Sequence, residues 1–100
     1  EDIRKIWQND EWHYSFVDII AKLLNVDMRQ ATTYWRKLKS RLIKDGFKTF
    51  IECKKAKLVA YDGKLRLTDV GNRQSCETLI ATIERITFHR KKRIKLKKDV

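Results

Sequence analysis

Between Ser15 and Leu42 apolar residues recur every three or four positions, stop at Asn25-Val26-Asp27, and then resume. That spacing predicts two amphipathic helices joined by a connection too short to separate them. Helices tied so closely must pack on one another and on a further apolar surface, which points to a small domain with a helix-turn-helix-like pair. Ser15 is placed to cap the first helix, with Asp18 in the capping-box position three residues on. Phe16, Ile19, Ile20, Leu23 and Leu24 have the spacing of its buried face. Asn25 suits the left-handed position that ends many helices, and Asp27 with Gln30 forms a second capping pair.

Residues on a helix advance about 100° each. In the second helix Ala31, Trp35, Leu38 and Leu42 therefore share a narrow arc, with Tyr34 at its edge. Arg29, Thr33, Arg36, Lys37, Ser40 and Lys44 fall on the opposite side. Solvated charge is ordinary on a helix surface. This face differs in holding no acidic residue to relieve its cations, and in setting hydroxyls at Thr33 and Ser40 between them. Such a composition suits contact with phosphates.

The flanking segments read as β-structure. Ile3 to Trp7 and Trp12 to Tyr14 surround Gln8-Asn9-Asp10-Glu11, and a two-residue loop there sets Trp7 opposite Trp12 and Ile6 opposite His13. Trp7 and Trp12 then serve as a hairpin staple or core, with base stacking as the alternative. Asp45-Gly46 ends the second helix, Phe47 to Cys53 is rich in β-formers, and Lys54-Lys55-Ala56 leads onward. Leu58 to Tyr61, Asp62-Gly63 and Lys64 to Thr68 predict a hairpin with Leu58 opposite Leu67 and Ala60 opposite Leu65. Its other face, with Lys57, Val59, Tyr61, Lys64 and Arg66, is basic and serves either solubility or a second anion contact. A third helix follows Thr68-Asp69, burying Cys76, Leu79, Ile80, Ile83 and Ile86. The expected fold is a single small α+β domain of two β-hairpins, an intervening strand and about three helices.

A chain of 100 residues can bury one core, and its formal net charge of +11 bears on partners more than on folding. Nucleic acid is the commonest anionic partner, ahead of an anionic membrane surface or an acidic protein. No apolar run approaches the roughly 20 residues of a membrane span, and no signal peptide is visible. The chain begins at Glu1 and its only methionine is Met28, a pattern expected of a fragment or trimmed product. Cys53 and Cys76 have no metal-type spacing and are expected to be buried or half-buried thiols in a reducing cytosol. Scattered as they are with His13 and His89, they predict no zinc site. No motif for a cofactor, a nucleophile or a small-molecule substrate stands out, so the chain does not read as an enzyme. Over residues 85–100 eight Lys and Arg face a single Asp. Residues 87–100 therefore read as a basic tail behind a domain of residues 1–86, either an arm that orders on a polyanion or, through Ile94 and Leu96, a short edge strand.

The successions Glu11-Trp12-His13-Tyr14-Ser15-Phe16-Val17-Asp18, Tyr34-Trp35-Arg36-Lys37-Leu38-Lys39, Asp62-Gly63-Lys64 and Leu67-Thr68-Asp69-Val70 together resemble the BRO-N domain. That domain opens baculovirus BRO proteins, many phage antirepressors and bacterial proteins of the DNA-damage-inducible protein D type, the last being the nearest in pattern. The resemblance runs from about Ile3 to Ile83. It implies an α+β domain that binds DNA in viral or mobile-element regulation, often ahead of a separate C-terminal effector region. Beyond Ile83 the proline-containing continuation usual in such proteins is replaced by Ile86-Thr87-Phe88-His89-Arg90-Lys91-Lys92. Asp18 to Lys37 also resembles a generic helix-turn-helix, with Ala21 at the small-residue position and Asn25 where glycine is customary.

These readings converge on a duplex-DNA-binding domain of a phage-type transcriptional regulator or antirepressor. Arg29, Thr33, Arg36, Lys37, Ser40 and Lys44 would contact DNA, with Arg90, Lys91, Lys92 and Arg93 adding phosphate affinity from the tail. The rival is a protein-interaction module that binds a repressor without touching DNA, anchored by Tyr34, Trp12 and Tyr61. A single-stranded nucleic acid is a third reading if the tryptophans are exposed on one cationic face. A homodimer is usual for helix-turn-helix proteins, although no heptad announces one. The expected location is cytoplasmic, with the nucleoid in a bacterium or the host nucleus for a eukaryotic virus.

Overall fold

Seven elements appear in a computed structural model that describes residues 3–44 and 53–99, with side chains through Thr87. Strands β1 (Lys5–Gln8) and β2 (Glu11–Ser15) lead into helices α1 (Phe16–Leu24) and α2 (Met28–Lys44). Strands β3 (Lys54–Val59) and β4 (Leu65–Gly71) follow, and helix α3 (Arg73–Asp99) closes the order. The strands form one antiparallel sheet in the order β1-β2-β4-β3. The α+β class with two hairpins and three helices is as expected; the strand predicted over residues 47–53, and the Asp45-Gly46 stop, fall largely outside the described residues.

The first hairpin has the anticipated register, Ile6 opposite His13 and Trp7 opposite Trp12. Its two-residue turn sets both Asn9 (φ 52°) and Asp10 (φ 62°) in the left-handed region, which matches the twist of the strands. Ser15 ends β2 and caps α1, accepting from the Asp18 N–H. Asn25 at φ 56° ends α1. Asp27 and Gln30 cap α2 reciprocally, Gln30 N–H to Asp27 Oδ1 at 2.8 Å and Asp27 N–H to Gln30 Oε1 at 3.3 Å.

The core lies between the three helices and β2–β4. Phe16, Val17, Ile19 and Ile20 of α1 meet Ala31, Trp35 and Leu38 of α2 and Cys76, Leu79 and Ile83 of α3. Phe16 and Trp35 pack edge to face with ring centroids 5.0 Å apart. Ile80 and Ile86 are only half-buried at its edge. On the other side of the sheet Ile6 packs against Ala56, Leu58 and Val70, and Arg4 Nη1 donates to the Val59 carbonyl at 2.9 Å. The two outer strands thus meet, and the sheet curls over a second, smaller core.

Several expectations change. The Asp62-Gly63 hairpin is not a two-residue loop: Gly63 N–H bonds the Ala60 carbonyl at 2.9 Å, Ala60 N–H bonds the Lys64 carbonyl at 2.8 Å, and only Gly63 takes a positive φ, 82°. The longer loop moves the pairing by one, so that Leu58 faces Arg66 and Val59 faces Leu65. A one-residue slip exchanges faces. Burial of Ala56, Leu58 and Val70 decides the register, and Leu65 and Leu67 are left exposed. Lys54 and Lys55 are already in β3, and β4 runs through Thr68 and Asp69 to Gly71 because Ser15 and Tyr14 of β2 pair with Val70 and Gly71. The third helix does not follow Thr68-Asp69 directly: Asn72 caps α3, accepting from the Ser75 N–H at 2.9 Å. In α1 Leu23 is exposed and Val17 buried, because β-structure covers one flank of the helix as α2 covers the other. Cys53 is exposed, whereas Cys76 is buried. The backbone of the basic segment continues α3 rather than forming an edge strand; no glycine or proline after Gly71 interrupts it.

Candidate nucleic-acid interface

The outer side of α2 is set by what its inner side buries. Ala31, Trp35 and Leu38 are buried, Leu42 and Tyr34 half-buried, and the opposite arc is left to solvent. Arg29, Arg36, Lys37, Ser40 and Lys44 are exposed on that arc, and Thr33 is half-buried between them. The structure therefore brings together all six residues that the helix periodicity selected. Arg29, Gln30, Thr33, Tyr34 and Lys37 line a shallow depression at the N-terminal half of the helix. Among the described residues Arg29, Arg36, Lys37 and Lys44 form no ion pair, whereas Arg4, Lys39, Lys55, Arg66 and Arg73 each hold a carboxylate. Arg90, Lys91, Lys92 and Arg93 belong to the part of α3 whose side chains lie outside the described residues.

One carboxylate ties α2 to the sheet and a second ties α1, on which α2 packs, to Arg4; neither role is visible as a motif. Asp69 of β4 accepts from Trp35 Nε1 at 2.7 Å, Lys39 Nζ at 2.9 Å and Lys55 Nζ at 2.9 Å. Burial opposes its ionisation, but the indole and the two ammonium groups outweigh that and bring its pKa down to about 2. Two lysines share the one carboxylate, so the α2–β4–β3 junction stays net positive. Asp18 of α1 is buried beneath Arg4, with Nη2 to Oδ1 at 2.7 Å and Nε to Oδ2 at 2.9 Å. It also accepts from the Arg4 N–H at 2.9 Å and from Ser15 Oγ at 2.9 Å. Burial again opposes ionisation, and the Arg4 and Ser15 donors hold the pKa below the ordinary carboxylate range. The partners lie 34 and 14 positions apart in the chain, a distance at which no spacing rule applies.

The tryptophans divide. Trp35 is core, whereas Trp7 (56% exposed) and Trp12 (41% exposed) form an edge-to-face pair at 5.3 Å on the surface of the first hairpin. Lys5 Nζ stands 4.6 Å over the Trp12 ring. Asp10 and Glu11 share that hairpin tip, so the three tryptophans do not gather on one cationic face. Among the described residues no three His, Cys, Asp or Glu side chains cluster as metal ligands, and no helix is long and apolar enough to cross a membrane. Comparison with protein-family models, curated proteins and solved structures gives no match.

Proposed function

We propose that this chain is a DNA-binding domain of the BRO-N kind, meeting duplex DNA through the outer face of α2. The observation that carries the reading is the set of exposed cations Arg29, Arg36, Lys37 and Lys44, none of them compensated by a carboxylate among the described residues. Uncompensated charge on a rigid helix has no structural use and stands ready for phosphates. The helix is seated in a core on one side, capped at its start and tied to the sheet through Asp69, so presenting it costs little reorganisation. Thr33 and Ser40 place hydroxyls on the same arc, between those cations. A regulator or antirepressor of phage or mobile-element origin is the biological setting this fits. Titration of a duplex at two salt concentrations tests it: affinity should fall by several decades between roughly 50 and 200 mM salt if six or more phosphates are neutralised. Absence of binding at low salt, or tight binding indifferent to salt, overturns the reading.

The exposed Trp7–Trp12 pair favours a second reading, a protein-interaction module that grips a repressor. Replacing both tryptophans by alanine separates the two readings, since DNA affinity should survive it and capture of a repressor should not.

A further inference from the structure

The β3–β4 hairpin carries charge that the fold does not use. Lys54, Lys55, Lys57, Lys64 and Arg66 lie on it against Asp62 and Asp69; Arg66 already holds Asp62, and Asp69 is engaged by Trp35, Lys39 and Lys55. Lys54, Lys57 and Lys64 form no ion pair among the described residues, and all three are exposed. Side chains alternate across a strand, so Lys55, Lys57 and Val59 of β3 and Leu65 and Leu67 of β4 share the face on which Asp69 meets α2. The cations of α2 thereby continue through Lys39 and Lys55 onto the hairpin. At its apex Tyr61 is 99% exposed, and Val59 and Leu65 are paired and exposed behind it. We infer that this hairpin is a second arm on the same duplex, with Lys57 and Lys64 on the sugar–phosphate backbone and Tyr61, Val59 and Leu65 against the sugars of the groove wall.

The inference rests on the duplex reading of α2. Charge selects the occupant. Lys57 stands directly opposite Leu67, so a protein covering the apolar residues would also bury that ammonium, and interface cores are depleted of lysine. A nucleic-acid groove takes both: phosphates meet the lysines, sugars meet the apolar side chains, and a two-stranded ribbon is narrow enough to enter.

Anisotropy titrations of the 100-residue chain with a duplex over a range of salt test it, with circular dichroism to check that each variant folds. Lys57→Ala with Lys64→Ala should reduce the slope of log affinity against log salt by about 2, at roughly 0.9 per phosphate lost. Tyr61→Ala should weaken binding at every salt concentration with the slope unchanged, and hydroxyl-radical footprints of both variants should lose protected sugars at one edge only. An unaltered slope in the lysine variant, unaltered affinity in Tyr61→Ala and an unaltered footprint in both, while Arg36→Ala with Lys37→Ala weakens binding, overturn the hairpin arm and leave α2 standing. Weakening by the hairpin changes alone supports the arm and overturns α2 as the main contact. No duplex binding by the unaltered chain overturns both.

Discussion

Asp69 ties the presented helix to the sheet, and Asp18 ties Arg4 to the start of α1, the helix on which α2 packs. Removing a partner from a buried ion pair strands the other charge, so Asp18→Ala should cost about 3 kcal/mol in urea unfolding, with Arg4 left over the cap of α1. Both folded pKa values are lowered from 3.8, that of Asp69 to about 2. A carboxylate held low in the folded state contributes stability above its unfolded pKa and loses it as pH falls through the folded one. Stability should therefore be steady above about pH 4 and decline from there toward pH 2, a trend that urea midpoints against pH would record. Asp69→Asn should show a shallower decline. The sequence placed Asp18 in the capping-box position, but the Ser15 N–H bonds the Arg4 carbonyl and the Asp18 carboxylate takes the Ser15 hydroxyl and the Arg4 guanidinium instead; nothing local identifies Arg4 as its partner or Asp69 as the anchor of Trp35. Those roles follow from long-range pairing.

At the scale of elements, short-range rules predict well where a segment's own hydrogen bonds decide its shape. The Asn9-Asp10 turn, the Asn25 stop and the Asp27–Gln30 box are all local, and all three are legible. Asp27→Ala should remove about 1 kcal/mol from α2, measurable by thermal unfolding. The second hairpin defeats the same rules because Asp-Gly suits either a two-residue turn or a longer loop ending in a left-handed glycine. Burial of Ala56, Leu58 and Val70 breaks the tie. Gly63 at φ 82° has nothing within 4 Å of an added Cβ, so Gly63→Ala should cost about 1 kcal/mol from backbone strain alone, without a clash. For function the informative comparison is between α2 and the C-terminal segment. Arg36→Ala with Lys37→Ala should weaken duplex binding more than deleting the last ten residues; the reverse order would make that segment the principal contact.

In the whole molecule a net charge of +11 is spread unevenly, and the fold determines which cations are available. Arg4, Lys39, Lys55, Arg66 and Arg73 are engaged by carboxylates, while among the described residues those on the outer arc of α2 are not. Binding that depends on the latter should weaken steeply with salt, whereas thermal stability over the same salt range should change little, because Asp18 and Asp69 are shielded from solvent. The amphipathic period alone determined the helix pair and its cationic arc, since side-chain direction on a helix follows from 3.6 residues per turn. Residue type and spacing likewise determined the caps of α1 and α2 and the first hairpin, whose partners lie within a few positions of one another. Only the tertiary structure decided the register of β3 and β4, the end of β4 at Gly71, the exposure of Trp7 and Trp12, and the roles of Asp69 beside α2 and Asp18 beneath Arg4. Each of those depends on segments far apart in the chain competing for the same buried surface, and no local pattern records which of them wins.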